Sequence, residues 1–237
     1  MSETIPKVAV DIWSDIVCPW CAIGYTQFRK ALDQLDGEVE VEVRFMPFEL
    51  NPQMEPEGAE QTALLAQRYG RSEAEVLAMR ATIEEVGDKV GFSFAWDGDG
   101  DPPPPWVWNT FEAHKLLRWA LTTQGLEAQS ALKLALFRGH FQQRRMIGKR
   151  EVLLDIAENL GFDRRAAQEA LEDEALSIAT RIEEKRGLEA GINSVPNFVV
   201  NGRYLIPGAH EPQAYADMIR KVVAMGEGGP AGGVANA

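Results

Sequence analysis

The stretch WSDIVCPWCAIGYTQF, Trp13 to Phe28, holds both cysteines of a 237-residue chain, Cys18 and Cys21, three positions apart. A disulfide across so short a span closes almost no loop and would constrain the unfolded chain very little. Zinc would need further cysteine or histidine ligands, but the histidines, His114, His140 and His210, have no paired spacing. Two readings remain, an inert buried pair or a redox couple, and the flanking sequence weighs between them. VAVDIW (Val8 to Trp13) alternates and is rich in β-branched and aromatic residues, as a strand is. From Cys18 to about Leu35 the apolar residues Ile23, Phe28, Ala31, Leu32 and Leu35 recur with helical spacing, and Gly37 ends the pattern. VEVEVRFM (Val39 to Met46) is a second strand with strict period two. A Cys-X-X-Cys at the strand-to-helix junction of a βαβ unit is a specific combination, and it points to thiol–disulfide chemistry.

At such a junction the first backbone N–H groups and the positive end of the helix dipole face the Cys18 sulfur. The expectation is a thiol pKa lowered from about 8.5 to between roughly 3.5 and 7.5, with Cys18 as nucleophile. Cys21, one turn deeper, would resolve the mixed disulfide. Pro19 suits the first helical turn, where no N–H is needed. Trp20, between the cysteines, either contacts substrate or packs over the helix start. Asp15, three residues before Cys18, either relays the Cys21 proton or caps the turn.

The middle of the chain is helical. Ser72 with Glu75 forms a capping box that opens a helix to about Val90, and Asn109 with Glu112 repeats the device before FEAHKLLRWALTTQG. Further helices are predicted over 127–145, 149–160, 163–173 and 175–190. DGDGD (Asp97 to Asp101) fails as a calcium loop, because Pro102 stands where glycine is required and Trp108 where glutamate is required. With the prolines after it, it reads as a stiff acidic loop shielding the cleft. PNFVVNGRYLIPG (Pro196 to Gly208) then restores strand periodicity around Asn201-Gly202, a strong hairpin signal. Proline at a strand start, after Val195, suits a cis bond facing the thiols, although an ordinary trans proline on an edge strand would read the same. A last helix spans about Pro212 to Met225. The terminal GEGGPAGGVANA, with five glycines in twelve residues, reads as a disordered tail.

The expected architecture is therefore α/β. Residues 1–50 and 190–225 form one discontinuous βαβ…ββα domain, 51–189 an all-α insertion, and 226–237 the tail. With 24 Lys and Arg against 36 Asp and Glu, the net charge of −12 repels nucleic acid. No apolar run approaches the roughly 18 residues of a membrane span. MSETIPKVAVDIW lacks a basic segment followed by an apolar one, so the expected location is the cytoplasm, where a paired thiol is more often catalytic than structural.

SDIVCPWC together with SVPNFVVNGRY resembles the DsbA-like branch of the thioredoxin superfamily, most closely its FrnE-like members. The resemblance extends to about residue 225. The lineage also holds 2-hydroxychromene-2-carboxylate isomerases and kappa-class glutathione transferases. It implies a thioredoxin fold, a redox-active Cys18–Cys21 pair, Pro196 as the cis proline facing it, and Val195 pairing its backbone with an extended substrate. Asn109 and His114 in WNTFEAHKL match a family stretch that can face the cleft, though the capping box alone accounts for Asn109. The isomerase and transferase relatives usually carry serine at the nucleophile position, so two sulfurs favour disulfide exchange. The expected protein is thus a DsbA-like oxidoreductase with no metal and no bound organic cofactor, acting on a disulfide-bearing protein or a low-molecular-weight thiol such as glutathione. It would be a monomer or homodimer. The alternatives are a glutathione-dependent isomerase or transferase, and a chaperone-like binder of unfolded chains.

Overall fold

The computed structural model describes residues 5–226, so nearly all of the expected tail lies outside the described residues. The chain opens with strand β1 (Lys7–Ser14), helix α1 (Pro19–Leu35) and strand β2 (Glu40–Pro47). β2 runs parallel to β1, the geometry a helical crossover permits. Far along the chain come β5 (Asn197–Val200), β6 (Tyr204–Pro207) and α9 (Pro212–Gly226). β5 joins the free edge of β1 antiparallel and β6 extends it, so the sheet order is β2-β1-β5-β6. The hairpin between β5 and β6 has Asn201 and Gly202 at φ 50° and 65°, the left-handed pair that a type I′ turn requires. The Asn201 side chain also accepts from the Ala9 N–H at 3.0 Å, tying the turn to β1.

Period two explains the sheet's inner face. Val8, Val10 and Ile12 of β1 and Phe198 and Val200 of β5 are buried, against Phe28 and Leu35 of α1 and Tyr215 and Ile219 of α9. Phe28 meets Tyr215 edge-on at 5.3 Å between ring centres.

Between β2 and β5 lie β3 (Ala59–Glu60), α2 (Gln61–Tyr69), α3 (Glu73–Val90), β4 (Trp106–Val107), α4 (Phe111–Gln124), α5 (Leu126–Phe141), α6 (Arg150–Asn159), α7 (Arg164–Glu172) and α8 (Glu174–Glu189). The Ser72–Glu75 box forms on α3 as expected. The Asn109–Glu112 box does not. α4 starts one residue later, with Thr110 as its N-cap, so Glu112 is one position too early to reach back. Asn109 accepts from the Phe111 N–H at 3.0 Å in a local turn, and Glu112 turns out to Arg150 at 2.8 Å. The inserted region is also not purely helical. Its two-residue ladder β3–β4 was not expected, and with it the Gln61 N–H donates to the Pro105 carbonyl at 2.9 Å, pinning the proline loop to the start of α2. Helix α2 is not among the helices the sequence predicts, and none of its residues is fully buried.

The inserted helices are joined to the sheet through Gln129 and Gly187, among others. The Gln129 amide of α5 bonds both backbone groups of Phe45, donating at 2.9 Å and accepting at 2.8 Å, so it occupies part of the open edge of β2. Gly187 of α8 packs on the Trp13 ring, where a Cβ would stand 2.3 Å from ring carbon. Gly187→Ala is expected to destabilise the protein by about 1–3 kcal/mol through overpacking, read as a lowered urea midpoint. An unchanged midpoint would mean that Trp13 does not rest against α8.

Candidate active site

Cys18 is the N-cap of α1, in extended conformation (φ −89°, ψ 112°), and Pro19 fills the first helical position. The Cys21 and Ala22 N–H groups donate to the Cys18 carbonyl at 3.1 and 3.4 Å, which closes the first turn. Both cysteines are free thiols, 4% and 1% exposed. They sit in an aromatic cluster contributed by the inserted region, Phe137 and Phe141 from α5 and Phe92 and Phe94 from the segment after α3. The Cys18 S–H donates to the Val195 carbonyl at 3.8 Å. The Val195–Pro196 peptide bond is cis. Pro196 packs on α1 at Gly24, where a Cβ would come within 3.1 Å of the Pro196 ring, so this turn of the helix needs its glycine to approach so closely.

The pair's electrostatics differ from the expectation. The Cys21 side chain and burial push the Cys18 thiol well above its ordinary value, while the Cys21 backbone N–H pulls it partly back. The helix start is where it should be, but the aromatic cluster removes the water that would solvate a thiolate.

A buried polar network lies beside the thiols. Asp15 is fully buried. It caps no helix; one carboxylate oxygen accepts from the Leu50 N–H at 2.7 Å and holds the loop after β2. The other has no hydrogen-bond partner and lies 3.6 Å from His114 Nε2, which is 3.1 Å from the Phe48 carbonyl. Burial pushes Asp15 up, but His114, the Leu50 N–H and the charge of Lys133 outweigh it and hold the carboxyl below its ordinary range. Lys133, on α5, is 0% exposed. Its ammonium donates to the Ser14 carbonyl at 3.2 Å and stands over the rings of Phe45 and Phe137, 5.4 and 4.9 Å from their centres. Burial lowers it to about 8, opposed by the charges of Cys21, Asp15 and Cys18.

Cys18, Pro19, Trp20 and Val195 meet at one side of a cavity of about 310 Å³. Trp20 is 42% exposed beside it. The facing wall comes from α2 and α3 through Leu64, Leu65, Val76 and Ile83, with Phe94 and Phe141 beyond. Neither Asn109 nor His114 lines this cavity, contrary to the expected substrate contacts, because each is drawn into backbone hydrogen bonds of its own neighbourhood. The acidic proline loop does not line it either; only Phe94 and Val107, outside that loop, do. Lys133 and the cavity arginines escaped the sequence reading. The one available signal was the stripe Gln129, Leu132, Lys133, Leu136 and Phe137, which places a lysine on the buried face of its helix.

The structure superposes on a probable DsbA oxidoreductase from Streptomyces coelicolor with a TM-score of 0.81 and 28% identity, covering 94% of this chain and 92% of that one. The Bacillus subtilis protein YwbO is 28% identical over 207 residues, 85% of this chain and 90% of its own length. The cytosolic disulfide reductase DsbM from Pseudomonas aeruginosa, solved with GSH, shares the fold at 20% identity and a TM-score of 0.61, over 91% of this chain and 99% of that one. Residues 9–220 match the DSBA-like thioredoxin domain, and with the cysteine pair at the start of α1 and the sheet drawn from both chain ends, the chain belongs to that family.

Proposed function

We propose that this protein is a thiol–disulfide oxidoreductase that works through Cys18 and Cys21, of the FrnE-like kind within its family. The observation that carries the reading is the free pair itself: two thiols on one helical turn, the first opening onto a cavity and the second almost wholly enclosed. Cys18 attacks a substrate disulfide and forms a mixed disulfide. Cys21 then attacks the Cys18 sulfur, the second half of the substrate leaves as a thiol, and the protein retains an intramolecular disulfide. Val195, whose carbonyl faces Cys18, offers backbone to an extended partner, and Pro196 shapes that edge. Asp15 is the nearby carboxylate that takes the Cys21 proton during resolution. The likeness to the Streptomyces coelicolor oxidoreductase supports the same chemistry.

In this reading the partner is a disulfide-bearing protein or a low-molecular-weight thiol, glutathione can reduce the oxidised pair, and neither a metal nor an organic cofactor takes part. The site of action is the cytoplasm; no helix among the described residues is long and apolar enough to cross a membrane.

The test is equilibration of the purified protein in glutathione buffers of graded poise, followed by trapping of free thiols. A two-electron transition is expected, with its midpoint between about −270 and −120 mV. If no intramolecular disulfide forms at any poise, or only a glutathione adduct on Cys18, the reading fails and a glutathione-dependent isomerase takes its place.

A further inference from the structure

Among the described residues the cavity beside Cys18 carries three guanidinium groups, Arg68, Arg80 and Arg144, and one carboxylate, Glu84. That carboxylate is taken, because Arg80 pairs with Glu84 at 2.7 Å. Arg68 bonds the Asn51 side-chain oxygen, a neutral acceptor. Arg144 has no carboxylate within ion-pair distance, and its Nε is buried without a hydrogen-bond partner. It is held there by backbone in the left-handed region, φ 49°, a conformation that side chains other than those of Asn or Asp seldom adopt. Burial and the neighbouring Arg80 charge push its ionisation down, and the charge of Glu84 offsets them only in part. A chain with 36 acidic and 24 basic residues thus places a surplus of positive charge in the hollow next to its reactive thiol. The remaining wall is mostly aliphatic and aromatic.

We propose that this cavity binds a low-molecular-weight disulfide that carries a carboxylate on an apolar body, with Arg144 as the anion-binding residue and Arg80 beside it. The inference rests on the oxidoreductase reading and specifies its substrate class. The carboxylate supplies the missing acceptor for Arg144, a charge-assisted bond in a partly buried site. The apolar body fills the hollow between α2, α3 and Phe141, and this brings the disulfide to the Cys18 sulfur. Cys18, as thiolate, attacks the near sulfur; the substrate S–S bond breaks and the far half leaves with the electron pair, taking up the proton Cys18 has lost. Cys21 then displaces the second half from the Cys18 sulfur, and its proton passes by way of Asp15 to the leaving thiolate. One substrate disulfide and the protein dithiol give two substrate thiols and the Cys18–Cys21 disulfide, a transfer of two electrons with no further reactant.

The probes are 5,5′-dithiobis(2-nitrobenzoate), aromatic with a carboxylate on each ring, the neutral aromatic 2,2′-dithiodipyridine, and glutathione disulfide, anionic but polar. Pre-reduced protein is mixed with each under single-turnover conditions, and each rate is divided by that of free dithiothreitol with the same disulfide. The protein's net charge of −12 by itself disfavours the anionic probes. The expected result is nonetheless a normalised rate at least about tenfold higher for the nitrobenzoate than for either of the other two. Arg144→Met should lower the nitrobenzoate-to-dipyridine ratio about tenfold, and Arg144→Lys should keep much of it. Because unfolding would expose both thiols to either probe and lower the ratio by itself, the variants are compared only where their circular dichroism matches that of wild type, and Arg144→Lys serves as the folded control. Equal normalised rates for the two aromatic disulfides, or an Arg144→Met ratio unchanged from wild type, overturn the proposal while leaving the oxidoreductase reading in place. Glutathione disulfide reacting as well as the nitrobenzoate overturns the apolar part of the assignment. Failure of all three to oxidise the pair overturns both.

Discussion

Cys21→Ser is expected to turn the protein into a trap that forms mixed disulfides with its substrates and releases them only slowly. In the wild type the resolving sulfur sits one helical turn from Cys18, its N–H on the Cys18 carbonyl at 3.1 Å, and almost no solvent reaches it. Resolution is therefore intramolecular, and its effective concentration far exceeds the millimolar level of any external thiol. Removing the sulfur leaves only that external route, so turnover of a disulfide substrate should fall by on the order of 10³-fold or more. Adducts on Cys18 should accumulate and be visible by intact-mass measurement. Cys18→Ser should form none, because Cys21, 1% exposed, cannot meet a substrate. The isomerase alternative uses a single sulfur or the thiol of glutathione and predicts activity that survives Cys21→Ser. A chaperone-like binder predicts that suppression of aggregation survives Cys18→Ser. Undiminished turnover in Cys21→Ser would remove the dithiol mechanism.

Lys133→Met is expected to make the protein more stable and its thiol less reactive. Lys133 is wholly enclosed and offers three donors, but makes one hydrogen bond, to the Ser14 carbonyl; ring faces and the charges near the thiols supply the rest. Its folded value of about 8 lies below the ordinary 10.5. Between these two values the folded state binds fewer protons than the unfolded state, so stability from this group rises with pH across the window and is lost as pH falls through about 8. At pH 7 the charged ammonium therefore opposes folding. A methionine of similar length removes that penalty while keeping the packing against Phe45 and Phe137. The gain should be about 1–3 kcal/mol at pH 7, reduced by whatever Asp15 loses, and the rise in stability between pH 8 and 10.5 should flatten. Chemical denaturation across that range reads both.

The same charge assists the thiolate, since Cys18 and Cys21 are among the groups that hold Lys133 protonated. Without it the alkylation midpoint of Cys18 should climb further. The reduced form loses stabilisation, so the couple should become more reducing wherever a thiolate is populated. A purely structural lysine would move stability and leave the alkylation profile where it was; that outcome would strip Lys133 of its role at the site.

What the residues determined by themselves was local. A Cys-X-X-Cys with proline in the first turn, between an alternating strand and an apolar stripe, places the sulfurs at a helix start, because short-range periodicity and capping depend on neighbours a few positions away. Asn201-Gly202 determined its hairpin for the same reason, as did Ser72 with Glu75 for the start of α3. Tertiary structure decided whatever depends on distant segments meeting. Cys18 was expected to be a low-pKa thiol, but the Cys21 side chain and burial under Phe92, Phe94, Phe137 and Phe141 of the inserted region reverse the direction, and that burial is set by what packs above the group. A lysine in a helix reads as solvated until the fold turns that face inward, so Lys133 looked like any other. Asn109 and His114 looked like cleft residues until a one-residue shift in the start of α4 and the Phe48 carbonyl claimed them. The arginines at positions 68, 80 and 144 share a cavity only because α2, α3 and the turn after α5 converge on the dithiol. Electrostatic fields act through space, and no spacing along the chain encodes them.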